Sequence, residues 1–192
     1  MALVLGIDPG TSGALAVYDT QTRRLVGPVQ DVPLWYQTVG KRKRKRVDTL
    51  AVADMFDVYT MMGVDLVAME SVGGRGGESA VSAFAFGYGV AVLYMAAFYS
   101  GLVIETVPPQ LWKQILNVPG KTKADDSAIL QRADELFPSD RDQFRGPRGG
   151  KLIDRAEAAM IAKYAGDFIL PTFTPKSGVE LRLAYAKADT GA

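Results

Sequence analysis

Apolar positions along this chain change their spacing several times, and each change marks an element. Residues 3–7 form a short apolar run broken only by Gly6, the length of a buried strand, and it stops on Asp8. Pro9-Gly10 forces a turn there, and a second apolar run over 14–18 follows at hairpin distance. Residues 25–32 read as a third strand completing a meander, and 34–46 as a connection. From Val47 the apolar residues (Leu50, Ala51, Met55, Val58, Met62) recur every three or four positions, predicting an amphipathic helix that Asp48 caps and Gly63 stops. Strand character returns over 64–69 and again ends on a carboxylate, Glu70. A glycine-rich loop over 71–78 leads into a long apolar helix over 79–100, ended by Gly101, and then a strand over 102–107. Pro108-Pro109 opens a short helix with Trp112 and Lys113, and 117–123 is a loop. A helix runs from Asp125 or Asp126 to Leu136, 137–151 is loop-like, and 152–165 is the last helix.

Three strands in a meander followed by alternating helices and strands predict an α/β fold. Its sheet is mixed and five-stranded, three antiparallel strands then two parallel ones, with helices on both faces. One helix is the whole crossover between the two strands that end in acids, so Asp8 and Glu70 should end neighbouring strands. The 192 residues suit one domain over 1–170 and a tail over 171–192.

Composition narrows the chemistry. The chain has neither cysteine nor histidine, which excludes disulfides, thiolate or imidazole metal sites, a cysteine nucleophile and a serine–histidine–aspartate triad. The start of the chain lacks a secretory pattern, so an intracellular protein is expected, cytoplasmic in a bacterial or phage-infected host, with organelle or nucleus as alternatives. The apolar stretch over 80–99 is long enough to cross a membrane, but it is read as a buried helix of a soluble core. Basic and acidic residues nearly balance, 22 against 21, so net charge names no partner. Their distribution says more, because Lys41, Arg42, Lys43, Arg44, Lys45 and Arg46 form one block. Such a block cannot pack in a core. Phosphate contact is the favoured reading, because the loop leaves the sheet that bears Asp8; a solvated mobile loop and a targeting signal are the alternatives. Arg141, Arg145, Arg148 and Lys151 form a looser second group of the same kind.

The last helix carries Asp154 and Glu157 three apart, on one face of its first turns. The helix dipole alone would favour acids there, and Asp8 alone could cap its turn. With Asp8 and Glu70 added, four carboxylates can converge on one site whose donors are all oxygen. Such a set selects magnesium, with manganese as a substitute. Two such ions can serve phosphodiester cleavage.

Gly6-Ile7-Asp8-Pro9-Gly10, Met69-Glu70 and Asp154-Arg155-Ala156-Glu157-Ala158 resemble the three acidic motifs of RuvC-type Holliday junction resolvases, metal-dependent nucleases of the ribonuclease H-like fold. Phe86-Gly87-Tyr88-Gly89, Val107-Pro108 with Trp112-Lys113, Thr122-Lys123-Ala124-Asp125-Asp126-Ser127 and Leu136-Phe137-Pro138 resemble the branch found in phages and plant organelles. The likeness spans roughly residues 3 to 165. It implies a homodimer that cuts two opposed strands of a four-way DNA junction using two magnesium ions per active site. It implies that Asp8, Glu70, Asp154 and Glu157 bind the metals, that Lys123 takes part in catalysis, and that Lys113 and Lys123 face the scissile phosphate. Lys121 and Arg148 join the basic block as expected DNA contacts. Two departures stand out: the bacterial enzymes usually have aspartate where Glu157 stands, and an aromatic where Gly73 stands. Phe86 or Tyr88 could supply that aromatic, though both suit a core. Rival readings are a ribonuclease H-like nuclease acting on flaps or RNA–DNA hybrids, an actin-like or sugar-kinase-like ATPase fragment, and a silent DNA-binding module.

Overall fold

The computed structural model describes residues 2–73, 77, 79–118 and 125–172, without the side chains of Val39, Arg42 and Asp125. One mixed sheet organises them. β1 (Leu3–Asp8) pairs antiparallel with β2 (Ala14–Asp19), and β2 pairs antiparallel with β3 (Arg24–Leu25) and β4 (Gln30–Asp31). On its other side β1 runs parallel to β7 (Val64–Glu70), which runs parallel to β8 (Ile104–Val107). The expected order, antiparallel strands followed by two parallel ones, is therefore present. The third strand differs from expectation, because 25–32 is two short pieces rather than one. Gly27 has φ +71 and Pro28 has no N–H to give, so the ladder breaks between them. The Val29 N–H is instead satisfied by the Gln143 side chain at 2.5 Å.

Period-two alternation sorts the strands between two cores. Val4, Ala14, Ala16, Tyr18, Leu66 and Ala68 face one layer; Leu3, Leu5, Ile7, Leu15, Val17 and Val67 face the other. The first layer holds α3 (Pro109–Ile115), α4 (Asp125–Leu136) and α5 (Ile153–Tyr164). The second holds α1 (Thr49–Met61) and α2 (Ala80–Tyr99). As read from sequence, Asp48 caps α1, accepting from the N–H groups of Leu50 and Ala51. A β-bulge sits where β7 meets the start of β1: Leu3 pairs with Val64 but Val4 with Leu66, and the skipped Asp65 accepts the Leu3 N–H at 2.9 Å.

Two further expectations are corrected. Residues 34–46 are not an irregular mobile connection. They form a two-stranded antiparallel ribbon of β5 (Leu34–Val39) and β6 (Arg42–Val47), with the basic block running through the Gly40 turn (φ +61) into the second strand. The ribbon forms because Leu34, Val47 and Val32 anchor its base in the second core, after which backbone pairing needs no buried side chains. Nor is α2 a buried helix. Among its residues only Gly89, Leu93 and Ala97 are buried, one stripe at spacing four, while Val81, Phe84, Met95, Phe98 and Tyr99 are exposed. It is also the one helix among the described residues long and apolar enough to cross a membrane.

Candidate active site

Alternation along the strands aims two of the acids. Val4, Gly6 and Asp8 share the α5 face of β1, and Leu66, Ala68 and Glu70 share that face of β7. Gly6 pairs with Ala68 and Ile7 with Met69, so Asp8 and Glu70 follow side by side at the ends of neighbouring strands. Gly6 also lets α5 lie directly on β1. A Cβ there would sit 2.3 Å from the Ala158 carbonyl oxygen and 2.4 Å from the Ala162 nitrogen. With α5 seated on Gly6, its first turn carries Asp154 and Glu157 over the end of β1.

The carboxylates of Asp8, Asp154 and Glu157 converge, with one oxygen of each within 4.8 Å of the others. Glu70 lines the same cleft of about 630 Å³ and is itself buried. The cleft is completed by the Gly10-Thr11-Ser12 turn, Lys45, Phe86 and Asp126. The turn has its own steric requirement. Gly13 donates to the Gly10 carbonyl at 3.2 Å, and a Cβ on it would meet the Asp8 carbonyl oxygen at 2.1 Å.

Charge is poorly balanced at this spot. Burial pushes the Asp8 carboxyl well above its usual range, and the charges of Glu157, Asp154 and Glu70 push further. Burial also raises Asp154, although the hydrogen bond that Asp8 donates to it partly opposes this. Asp8 therefore holds its proton to higher pH than an ordinary carboxyl does. A cation enters the cluster from α3: Lys113 Nζ donates to Glu157 Oε1 at 2.6 Å, with both groups buried. That ammonium also stands 4.9 Å from the Trp112 ring centroid. Four carboxylates meet at this cleft, one of them bonded to Lys113, and an all-oxygen donor set of this kind suits a hard, oxygen-seeking metal ion.

The other sequence-named residues divide. Lys45 lines the cleft; Lys41 and Lys43 are exposed on the ribbon; Arg44 and Arg46 are half-buried, Arg46 lying 5.9 Å over the Phe84 ring. For Arg42 only the backbone, in β6, is described. Lys113 is bonded to Glu157 rather than standing open to the cleft, a direct pairing that spacing 44 residues apart could not signal. Lys121 and Lys123 lie outside the described residues, as does all of the tail beyond Thr172. The looser basic group is largely committed to structure. Arg145 pairs with Asp134, and Lys151 donates to Ser127 at 2.5 Å, whereas Arg148 is exposed. Phe86 borders the cleft and Tyr88 is 40% exposed, so neither is a core aromatic. Asp126, read from the sequence as a helix start and as part of a resemblance motif, is a cleft wall.

No protein-family model matches the chain, and no curated protein matches it in sequence. Among solved structures, T. thermophilus RuvC in complex with a Holliday junction substrate aligns with a TM-score of 0.60 at 18% identity, covering 92% of this chain and 99% of that one. A second RuvC structure from Thermus thermophilus aligns with a TM-score of 0.48 at 17% identity, covering 86% of this chain and 95% of that one. The first likeness shows the fold: this chain has the mixed-sheet, ribonuclease H-like architecture of RuvC.

Proposed function

We propose that this chain is a structure-selective endonuclease that resolves four-way DNA junctions by paired cuts in opposed strands, working as a homodimer. The observation that carries the reading is the convergence of Asp8, Asp154 and Glu157, with Glu70 beside them, in a cleft that also presents Lys45. A fold shared with a protein solved on a Holliday junction supports the choice of substrate. So does the ordered motif set of the phage and plant-organelle branch, from Phe86 to Pro138.

Asp8, Glu70, Asp154 and Glu157 would hold two magnesium ions, or manganese in their place, which supply Lewis acidity and charge neutralisation at a phosphodiester. The chain's own groups prepare that site. Lys113 fixes the Glu157 side chain through their buried, charge-assisted hydrogen bond. A cation offsetting the charges around Asp8 would bring its raised carboxyl back toward the usual range. Lys45 offers an ammonium at the cleft wall to a phosphate on its way to the acids. Lys123 belongs to the proposal through the motif resemblance and would act beside the scissile phosphate. Phosphate contacts along 41–46, with Lys121 and Arg148, position the DNA without reading its bases.

The deciding experiment offers synthetic four-way junctions, flaps and RNA–DNA hybrids to the purified chain with magnesium. Symmetric, ligatable nicks in opposed junction strands are expected. Preferential cutting of flaps or hybrids would replace junction resolution with a different ribonuclease H-like activity. ATP hydrolysis without DNA would overturn the nuclease reading altogether.

A further inference from the structure

The β5–β6 ribbon has two faces, and its register assigns residues to each. Directly paired residues share a face, so Leu34 and Val47 lie together, then Tyr36 and Lys45, then Thr38 and Lys43. The first pair anchors the ribbon: Val47 is buried, and its Cγ2 lies 2.9 Å from where a Cβ on Gly89 of α2 would stand. The second pair is the first clear of the core, and its Lys45 lines the carboxylate cleft. Tyr36 stands beside that lysine with 60% of its surface exposed. The opposite face pairs Trp35 with Arg46 and Gln37 with Arg44. There Arg46 is occupied, lying over Phe84 and donating to Gln37 at 3.4 Å.

Strand propensity accounts for a tyrosine in β5, and a ribbon standing clear of the core leaves its ring in solvent. A flat π-face flanked by ammonium groups at the rim of an acidic cleft is the combination that binds unpaired nucleotides: the cations hold the backbone and the ring stacks the base. We propose that Tyr36, flanked by Lys45 and Lys43, is a stacking platform for an unpaired base beside the phosphate entering the cleft. It would hold open the strand that the carboxylates cut. Tyr36 is thus a positioning residue for the substrate, and the two ribbon faces have separate tasks. The proposal rests on the nuclease reading above, and its test can separate the two.

Junction DNA carrying 5-iodouracil at single positions around the branch point is bound to the full chain in calcium, irradiated, and the crosslinked peptide identified. A crosslink at Tyr36 is expected on the junction and not on matched duplex of the same sequence. In parallel, Tyr36→Ala should weaken junction binding by about 5- to 150-fold, the worth of one stacked base. Tyr36→Phe and Tyr36→Trp should restore it, matched-duplex affinity should stay constant, and the thermal melt should not move, because the ring is exposed. Equal losses on junction and duplex, or wild-type junction affinity in Tyr36→Ala, would overturn the platform while wild-type cleavage in magnesium upholds the nuclease. A Tyr36 crosslink from a single-stranded flap, with junctions left uncut, would uphold the platform and overturn junction resolution.

Discussion

Asp8 lies half-buried among like charges, and its environment ties stability to pH and to metal. Its carboxyl is raised in the folded state by burial first, then by Glu157, Asp154 and Glu70. A raised carboxyl contributes stability that is complete below the unfolded value, about 3.9, and is lost as pH rises through the folded value. In chelator, the wild-type melting temperature should therefore fall relative to that of Asp8→Asn as pH rises above about 4. Magnesium should raise the wild-type melt more at pH 8 than at pH 5, which thermal melts across a pH series would read; an identical magnesium effect at both would sink the argument. Asp8→Asn, Glu70→Gln, Asp154→Asn and Glu157→Gln should each abolish cleavage while junction binding survives or tightens, since each removes negative charge facing DNA. Two variants cutting near the wild-type rate would dissolve the four-carboxylate assignment. These acids were visible in the sequence because each ends a strand or opens a helix at a sharp change of pattern. The Lys113–Glu157 bond was not, since nothing local links a short helix after Pro108 to an acid 44 residues later.

Between elements, Gly6 has the largest consequence for its size. A methyl group there would meet the backbone of α5 at Ala158 and Ala162, which no rotamer change relieves. Gly6→Ala should destabilise by about 1–3 kcal/mol and reduce cleavage, because α5 must lift away with Asp154 and Glu157. Gly87→Ala, in α2 with nothing within 4 Å of the new Cβ, is the matched control and should be neutral or stabilising by up to about 1 kcal/mol. Chemical denaturation of both variants measures the difference. The β5–β6 ribbon makes a second prediction. Replacing its six basic residues by Ser or Gln should flatten the salt dependence of junction binding by about 0.9 in slope for each phosphate no longer neutralised. The change should fall short of six phosphates' worth, since Arg46 is engaged with Phe84 and Gln37. The ribbon itself was hidden in the sequence, because consecutive lysines and arginines carry no hydrophobic alternation and only pairing with Leu34–Val39 makes them a strand. The split third strand was half-legible, for Gly27-Pro28 is a breaker that an otherwise extended run disguised.

Across the whole molecule, the outer side of the α1–α2 layer is strongly apolar. Leu50, Val58 and Met61 of α1 and Val81, Phe84, Met95 and Tyr99 of α2 are all exposed, large apolar side chains that the core does not cover. The sequence showed α2 to be apolar all round, which suggested a core; the second layer buries only one stripe of it. A four-way junction offers two equivalent strands, which a two-fold dimer matches. The chain should sediment as a dimer at micromolar concentration, and Met61→Glu with Tyr99→Glu should yield a folded monomer. Both side chains are more than 80% exposed, so a monomeric wild type would exclude this interface. The bulge at Asp65 has a consequence on this same scale. Between paired parallel strands, orientation is a matter of odd and even. Were the pairing of Leu3 with Val64 continued evenly, Asp8 would lie beside Met69, and Glu70 would belong to the other parity. The one skipped residue resets the count, so that both acids emerge on the same side. Losing any single residue between Val4 and Asp8, or between Leu66 and Glu70, would turn one acid away from α5, whereas losing two would preserve the parity. The tolerated length changes in this part of the chain should therefore come in even numbers, a counting rule written by one unpaired aspartate at the far end of the sheet.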